Sequence, residues 1–305
     1  MLAALVIAGL VLLLLGGEGL VRGAVALANR AGVSPMFVGV VLLGFGTSAP
    51  ELVACVQAVL AGAPGVALGN VLGSNTANIL LILGVAALLI PVPVGRDALK
   101  RDGGVMLVSS LALAGLAILG RIGTLAGLIL IAGLIAYIAY AWMAERRDDE
   151  EIERDVSISL PLSLFFALGG LAAILVGGRL LVDGAVGLAE AFGVSDTVVG
   201  LTVVAVGTSL PELAASAAAA YRKEAGLIIG NVLGSNIYNI LGILGVTSLV
   251  GPLPVPASVL SFDVPVMLAA TVLLLALGWW RGVLGRAVGA SFLAAYIGYT
   301  AILWI

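Results

Sequence analysis

Ten long apolar runs occupy almost the whole chain and restrict its fold more than any other feature. A helix that crosses a bilayer needs roughly 20 apolar residues, and this 305-residue chain is 62% hydrophobic and only 10% charged. The sequence therefore predicts an all-α polytopic membrane protein with ten transmembrane helices and almost no room for a soluble domain. The runs lie at approximately 2–28, 36–61, 65–90, 104–120, 122–144, 158–189, 197–221, 225–250, 262–280 and 283–305.

An internal repeat relates the two halves of the chain. Residues 16–95 align with residues 177–256 at a constant offset of 161 without a gap, and about 41 of the 80 positions are identical. Each half carries five predicted helices, so the second half must be inverted in the membrane relative to the first. Inverted repeats are typical of secondary transporters, whose site lies near the bilayer midplane where the halves meet. We expect a first five-helix repeat at 1–144, an acidic cytoplasmic linker at 145–157 and a second, inverted repeat at 158–305.

The basic residues predict which helix ends are cytoplasmic, because Lys and Arg in short loops are retained on that side. With the N-terminus outside, eleven basic residues fall in cytoplasmic loops and only Arg121 in an external loop. Both termini are therefore predicted outside, in a multi-pass protein of the cell (inner or plasma) membrane. The eleven are Arg30, Arg96, Lys100, Arg101, Arg146, Arg147, Arg154, Arg222, Lys223, Arg281 and Arg286.

Composition excludes several classes of site. The chain has one cysteine, Cys55, and no histidine. These counts exclude an intramolecular disulfide, His-ligated zinc or haem, and a Ser/His/Asp triad. An intramembrane hydrolase is disfavoured as well, because both lysines lie in predicted loops. We expect no enzymatic activity, no bound cofactor, no nucleic-acid partner and no obligate protein partner. Membrane lipid is the expected environment of the chain.

Four carboxylates lie within predicted helices, where charge is costly and marks a functional hypothesis. Glu18 stands four residues before Arg22, and Asp183 stands four residues after Arg179. This spacing places both charges on one helical face, so we interpret these as two structural ion pairs. The remaining two, Glu51 and Glu212, have no basic residue of their own repeat within several turns. A bound cation is the simplest counter-charge for them.

A first motif surrounds each of these two glutamates. GTSAPE at 46–51 recurs as GTSLPE at 207–212. Proline removes a helical hydrogen bond and clashes with the preceding turn, which predicts free carbonyls near Gly44 and Ala205. The hydroxyl groups stand three and four residues before the carboxylates, on the same side of the helix. Those hydroxyl residues are Thr47, Ser48, Thr208 and Ser209.

A second motif follows on the next helix of each half. GNVLGSNTAN at 69–78 recurs as GNVLGSNIYN at 230–239. Ser74 and Asn78 share a face at a spacing of four residues, as do Ser235 and Asn239. Taken alone, the small-residue spacing of this second motif is more often a packing feature, but together the four motif helices offer a midplane cage of oxygen ligands. Hard cations such as Ca²⁺ and Na⁺ prefer such ligands.

The paired GTSxPE and GNxxGSNxxN motifs resemble the α-repeats of the cation/Ca²⁺ exchanger superfamily, in particular its prokaryotic sodium/calcium exchangers. The resemblance implies an antiporter in which two long helices, one at the start of each half, slide across a core of four motif helices. It also implies that Glu51 and Glu212 are the central ligands of the transported Ca²⁺ and Na⁺. The surrounding ligands would be Thr47, Ser48, Thr208, Ser209, Ser74, Ser235, Asn78 and the carbonyls of Gly44 and Ala205.

One position departs from the family pattern and leaves the coupling open. Where sodium/calcium exchangers commonly carry an aspartate, this chain has Asn239, so the site keeps two ionisable groups. Two negative charges balance one Ca²⁺ or two Na⁺. The main hypothesis is Na⁺/Ca²⁺ exchange by alternating access, and the alternative is H⁺/Ca²⁺ or other divalent cation exchange on the same scaffold. A passive cation channel or a structural scaffold is the hypothesis from another class.

Overall fold

A computed structural model describes residues 2–145, 158–191 and 207–303, and these residues are almost entirely helical. Predicted features outside these ranges are most of the acidic linker, the first part of the seventh apolar run and Ala205. The helices are α1 (Leu2–Ala31), α2 (Pro35–Leu60), α3 (Pro64–Leu89), α4 (Arg96–Ile118), α5 (Thr124–Glu145), α6 (Leu160–Ala191), α7 (Leu210–Tyr221), α8 (Ala225–Val250), α9 (Val259–Arg281) and α10 (Arg286–Leu303).

Nine of these helices, all except α7, are long and apolar enough to cross a membrane within the described part of the chain. A multi-pass membrane protein is therefore confirmed. One boundary was wrong: α4 begins at Arg96 and not at 104, so Lys100 and Arg101 belong to a helix and not to a loop. The helix extends because Arg101 is paired with carboxylates, which removes the cost of drawing its charge into the protein.

Four two-residue strands, absent from the all-α prediction, join the helix ends. β1 (Val92–Pro93) pairs antiparallel with β4 (Val283–Leu284), and β2 (Arg121–Ile122) pairs antiparallel with β3 (Leu253–Pro254). Each pair connects a loop of the first half to a loop of the second half. Backbone groups at the loops thus find partners that the helices do not supply.

The helices α3 and α8, which carry the second motif, are the most buried, and α1 and α6 cross each other at close range. Glycines recur every seven residues on both of these long helices. A Cβ added at any of them would lie within 2.9 Å of a backbone atom of the opposite helix, so only glycine permits this approach. The six are Gly9, Gly16 and Gly23 on α1 and Gly170, Gly177 and Gly184 on α6.

Of the two ion pairs predicted within helices, one forms and the other does not. Arg179 Nε lies 3.7 Å from Asp183 Oδ2, as the spacing indicated. The Glu18–Arg22 pair was wrong. Glu18 instead forms a two-pronged ion pair with Arg222, at the loop that follows α7. Arg22 lies over the ring of Phe166, with its guanidinium carbon 4.8 Å from the ring centre. The pairing changes because α1 packs against α7, which brings the guanidinium of Arg222 to the carboxylate.

Candidate functional site: two buried glutamates and their ring of hydroxyls and amides

Two helix breaks position the glutamates. The first break is at Ser48 (φ −84°, ψ 6°), where α2 is interrupted, and the second is at Ser209 (φ −90°, ψ 4°), just before α7. A proline follows two residues later in each case, where the helix restarts and needs no donor. Glu51 and Glu212 therefore stand in the first turn of the restarted helix. The break that proline predicted is present in both copies.

Both carboxylates are buried and have unpaired oxygen atoms. Glu51 is 1% exposed and Glu212 is 2% exposed. Ser48 Oγ donates to Glu212 Oε1 at 3.0 Å, so this hydroxyl serves the glutamate of the other motif and not the nearer Glu51. Among the described residues, both oxygens of Glu51 and the second oxygen of Glu212 have no hydrogen-bond partner. A buried carboxylate without a partner is costly, so these oxygens are available for a ligand.

The second motif places amides and hydroxyls in the same core. Asn78 and Asn239 lie at the widened turns of α3 and α8, which are π-helical over 78–82 and 238–244. Asn239 donates through Nδ2 to Asn75 Oδ1 at 3.0 Å. Asn239 Oδ1 and Asn78 Nδ2 have no partner among the described residues. Ser235 Oγ donates to the carbonyl of Gly44 at 3.4 Å, which joins the two motifs across the halves.

The remaining predicted ligands differ in their burial. Thr47 is fully buried and donates to Leu43 O at 2.8 Å. Ser74 and Ser209 are also buried. Thr208 is partly exposed and lines a cavity described below. Ala205 lies outside the described residues.

Asn231 is a further polar residue of the core that the sequence prediction did not select. Its Nδ2 donates to Glu212 O at 3.2 Å and to Ser216 Oγ at 2.9 Å. Its Oδ1 accepts from Thr47 Oγ1 at 3.4 Å. Asn231 thus holds the backbone of one motif and the hydroxyl of the other. Its place in the second repeated motif was the signal that could have identified it.

A cavity of about 640 Å³ lies between α2 and α6 and extends to the residues that precede the two glutamates. Pro50 and Pro211, the neighbours of Glu51 and Glu212, both line it, as do Gln57 on α2 and the ion pair of α6. At the corresponding position of the other half the helices are in close contact: a Cβ on Gly17 of α1 would lie 2.9 Å from Ala218 Cβ on α7. The two halves therefore differ here: a cavity lies beside α6, whereas α1 is packed against α7.

A second buried polar cluster was missed by the sequence prediction. Asp102 is fully buried and is held by Arg101 at 3.0 and 3.1 Å and by the Tyr137 hydroxyl at 2.9 Å. Arg101 also donates to Glu145 at 2.7 Å, and Glu145 accepts from the backbone of Ser34 at 2.6 Å. Every carboxylate here has partners. The cluster joins α4, α5 and the start of α2, and its chemistry is structural.

Comparisons with known protein sequences identify the family. The sequence model of the family described as sodium/calcium exchanger protein matches residues 1–143 and 162–305. The putative antiporter CaxA of Alkalimonas amylolytica is 37% identical over 314 residues, covering 98% of this chain and 97% of that protein. The sodium/calcium exchanger MaX1 of Methanosarcina acetivorans is 34% identical, covering 93% of this chain and 95% of that protein.

Solved structures give the same result for the fold. The sodium-calcium exchanger NCX_Mj soaked with Na⁺ and Ca²⁺ has a TM-score of 0.88 and 35% sequence identity, covering 98% of this chain and 97% of that chain. The same exchanger soaked with Na⁺ and Sr²⁺ has a TM-score of 0.88 at 36% identity, with the same coverage. The resemblance inferred from the repeated motifs is confirmed, and this chain belongs to the sodium/calcium exchanger protein family.

Proposed function

We propose that this protein is a secondary antiporter that exchanges Na⁺ for Ca²⁺ across the cell membrane by alternating access. The observation that carries the proposal is the set of unpaired oxygens on Glu51 and Glu212, buried at the meeting point of the two repeats. Two carboxylates and neighbouring hydroxyl and amide oxygens are suitable ligands for a hard cation. Their two negative charges balance one Ca²⁺ or two Na⁺, so the two ions compete for one site.

The proposed ligand set keeps the residues of both motifs. Glu51 and Glu212 are central, and Thr47, Ser48, Thr208, Ser209, Ser74, Ser235, Asn78, Asn239 and the carbonyls of Gly44 and Ala205 surround them. The unpaired Oδ1 of Asn239 supports its inclusion, because a neutral amide oxygen can coordinate a cation without titrating. With Asn239 uncharged, the site offers no third carboxylate.

Alternating access is proposed to run across the α1–α6 pair. Ten spans in two inverted repeats with both termini outside would place the cavity between α2 and α6 on the external face. Closure of α1 against α7 supports a form open only to that face. Occluding two bare carboxylates in a low-dielectric core is costly, so ion binding would be required before the long helices move. This requirement couples the flux of one ion to that of the other.

The test is uptake of radioactive Ca²⁺ into proteoliposomes loaded with Na⁺ and diluted into Na⁺-free medium at equal pH. Uptake should require internal Na⁺. Glu51→Gln and Glu212→Gln should each abolish it, because one lost charge leaves the site unable to balance Ca²⁺. Asp263→Asn is the control: this carboxylate at the start of α9 accepts a hydrogen bond from the Tyr299 hydroxyl at 2.8 Å and lies outside both motifs, and the variant should retain exchange. Na⁺-dependent flux in both site variants would refute the assignment.

A potassium potential set with valinomycin tests the stoichiometry. A tenfold Na⁺ gradient is worth about 1.4 kcal/mol per ion, and 100 mV is worth about 2.3 kcal/mol per net charge. Three Na⁺ per Ca²⁺ would supply about 6.5 kcal/mol, whereas two would supply about 2.8 kcal/mol with no voltage dependence. Uptake driven by a pH gradient and indifferent to Na⁺ would replace the proposal with proton-coupled exchange.

A further inference from the structure

The cavity that approaches the glutamates carries one ion pair on its wall. Arg179 and Asp183 are the only charged residues among the described residues that line it. Their closest atoms are 3.7 Å apart, and their side chains are 84% and 56% exposed. An exposed pair at this distance contributes little to stability. A cation that reaches Glu51 through this cavity must therefore pass a fixed positive charge and a fixed negative charge.

The repeat gives an internal comparison for this pair. The positions that correspond to Arg179 and Asp183 at the offset of 161 are Glu18 and Arg22, so the charges are reversed. Glu18 and Arg22 do not pair with each other: Glu18 binds Arg222, and Arg22 lies over an aromatic ring. The arrangement is therefore not required to build the long helix, because its counterpart folds without it.

We propose that the Arg179–Asp183 pair is an electrostatic filter in the cation path, in which Asp183 neutralises Arg179 and so sets how readily divalent ions reach the site relative to monovalent ions. This inference rests on the proposed function. A cleft with low-dielectric walls focuses the field of a charged group on ions inside it. Without Asp183, the Arg179 guanidinium would repel every cation that enters, and without Arg179, the Asp183 carboxylate would attract each one.

The effect of an electrostatic filter depends on the charge of the ion, whereas the effect of a purely structural residue does not. The electrostatic energy of an ion near a fixed charge is proportional to the charge of the ion. The factor by which a variant changes Ca²⁺ capture should therefore be the square of the factor for Na⁺. A unit charge about 6 Å from the path in water corresponds to about threefold for Na⁺ and about tenfold for Ca²⁺. Both factors should shrink as salt is raised, because the pair lines the cavity through which the ions of the external solution are proposed to enter.

The experiment measures KM and kcat for Ca²⁺ and for Na⁺ in proteoliposomes at low ionic strength, with each ion varied on each face in turn. Asp183→Asn should raise the KM for Ca²⁺ about tenfold and that for Na⁺ about threefold, and Arg179→Gln should lower them by similar factors. These changes should appear on one face only and leave kcat unchanged. The double variant, which is neutral like the wild type, should restore both constants. Arg121→Gln, a charge change in a loop away from the cavity, is the matched control.

Three results would overturn the filter while leaving exchange intact: KM values equal to wild type in both single variants, equal factors for the two ions, or changes of kcat alone. If Asp183→Asn fails to fold, the filter is still tested by the lower KM values expected for Arg179→Gln and by the wild-type KM values expected for the double variant. Absence of Na⁺-dependent Ca²⁺ flux in the wild-type protein would instead refute the proposed function, and the filter with it.

Discussion

Gly170 is a position at which a single methyl group should disturb the α1–α6 crossing and for which the chain offers a matched control. An alanine Cβ there would lie 2.3 Å from Leu20 N and 2.7 Å from Gly16 O, whereas ordinary contacts are 3.4–4 Å. Both neighbours are backbone atoms, so no side-chain rotation relieves the overlap. The helices must separate by about 1 Å over a close-packed interface. Overpacking of this kind costs about 1–3 kcal/mol.

The adjacent Gly169 supplies the control, because a Cβ there meets nothing within 4 Å. Gly169→Ala should be neutral or stabilising by up to about 1 kcal/mol, since alanine has the higher helix propensity. The assay is thermal unfolding of the purified protein in detergent, followed by the loss of the monodisperse peak on size exclusion. Gly170→Ala should unfold at a lower temperature than wild type, and Gly169→Ala should not. Equal midpoints for the two variants would refute the close-approach argument.

Two further predictions concern hydrogen bonds. Ser48→Ala removes the hydroxyl that donates to Glu212, and the KM for Ca²⁺ should rise about fivefold, the equivalent of about 1 kcal/mol. Ser48→Thr keeps the hydroxyl and should behave as wild type. Equal flux kinetics in the two variants would contradict a role for this hydrogen bond. Tyr137→Phe removes a donor to the buried Asp102 and should lower the free energy of unfolding by about 1–3 kcal/mol in chemical unfolding. Tyr140→Phe is the control, because this tyrosine is half-exposed, and it should cause no such loss.

The sequence predicted most of the fold because the membrane imposes a strong and local rule. Nearly every spanning segment follows from its apolar length, since a helix is the simplest way to satisfy a backbone in lipid. The error at the start of α4 has the same origin. A charged residue such as Arg101 ends an apolar run, and the run alone cannot show that Asp102 and Glu145 neutralise it inside the protein.

The candidate site was predictable because its chemistry is repeated. Glu51 and Glu212 were conspicuous as intramembrane carboxylates without a nearby basic residue, and proline in each motif predicted the two helix breaks. Contacts between the motifs were not predictable. Ser48 serves Glu212 and not Glu51, and Asn231 binds Thr47, because these contacts join residues more than 160 positions apart.

The sequence by itself thus determined the class of protein, the repeat and the two carboxylates, because apolar length, internal identity and buried charge can each be read along one dimension. Only the tertiary structure decided which charges meet. Glu18 pairs with Arg222 and not with Arg22. A cavity lies between α2 and α6, whereas α1 and α7 are in close contact at the corresponding position. The physical reason is that the two halves, alike in sequence, pack in different arrangements, and both ion pairing and cavity shape depend on distances between helices.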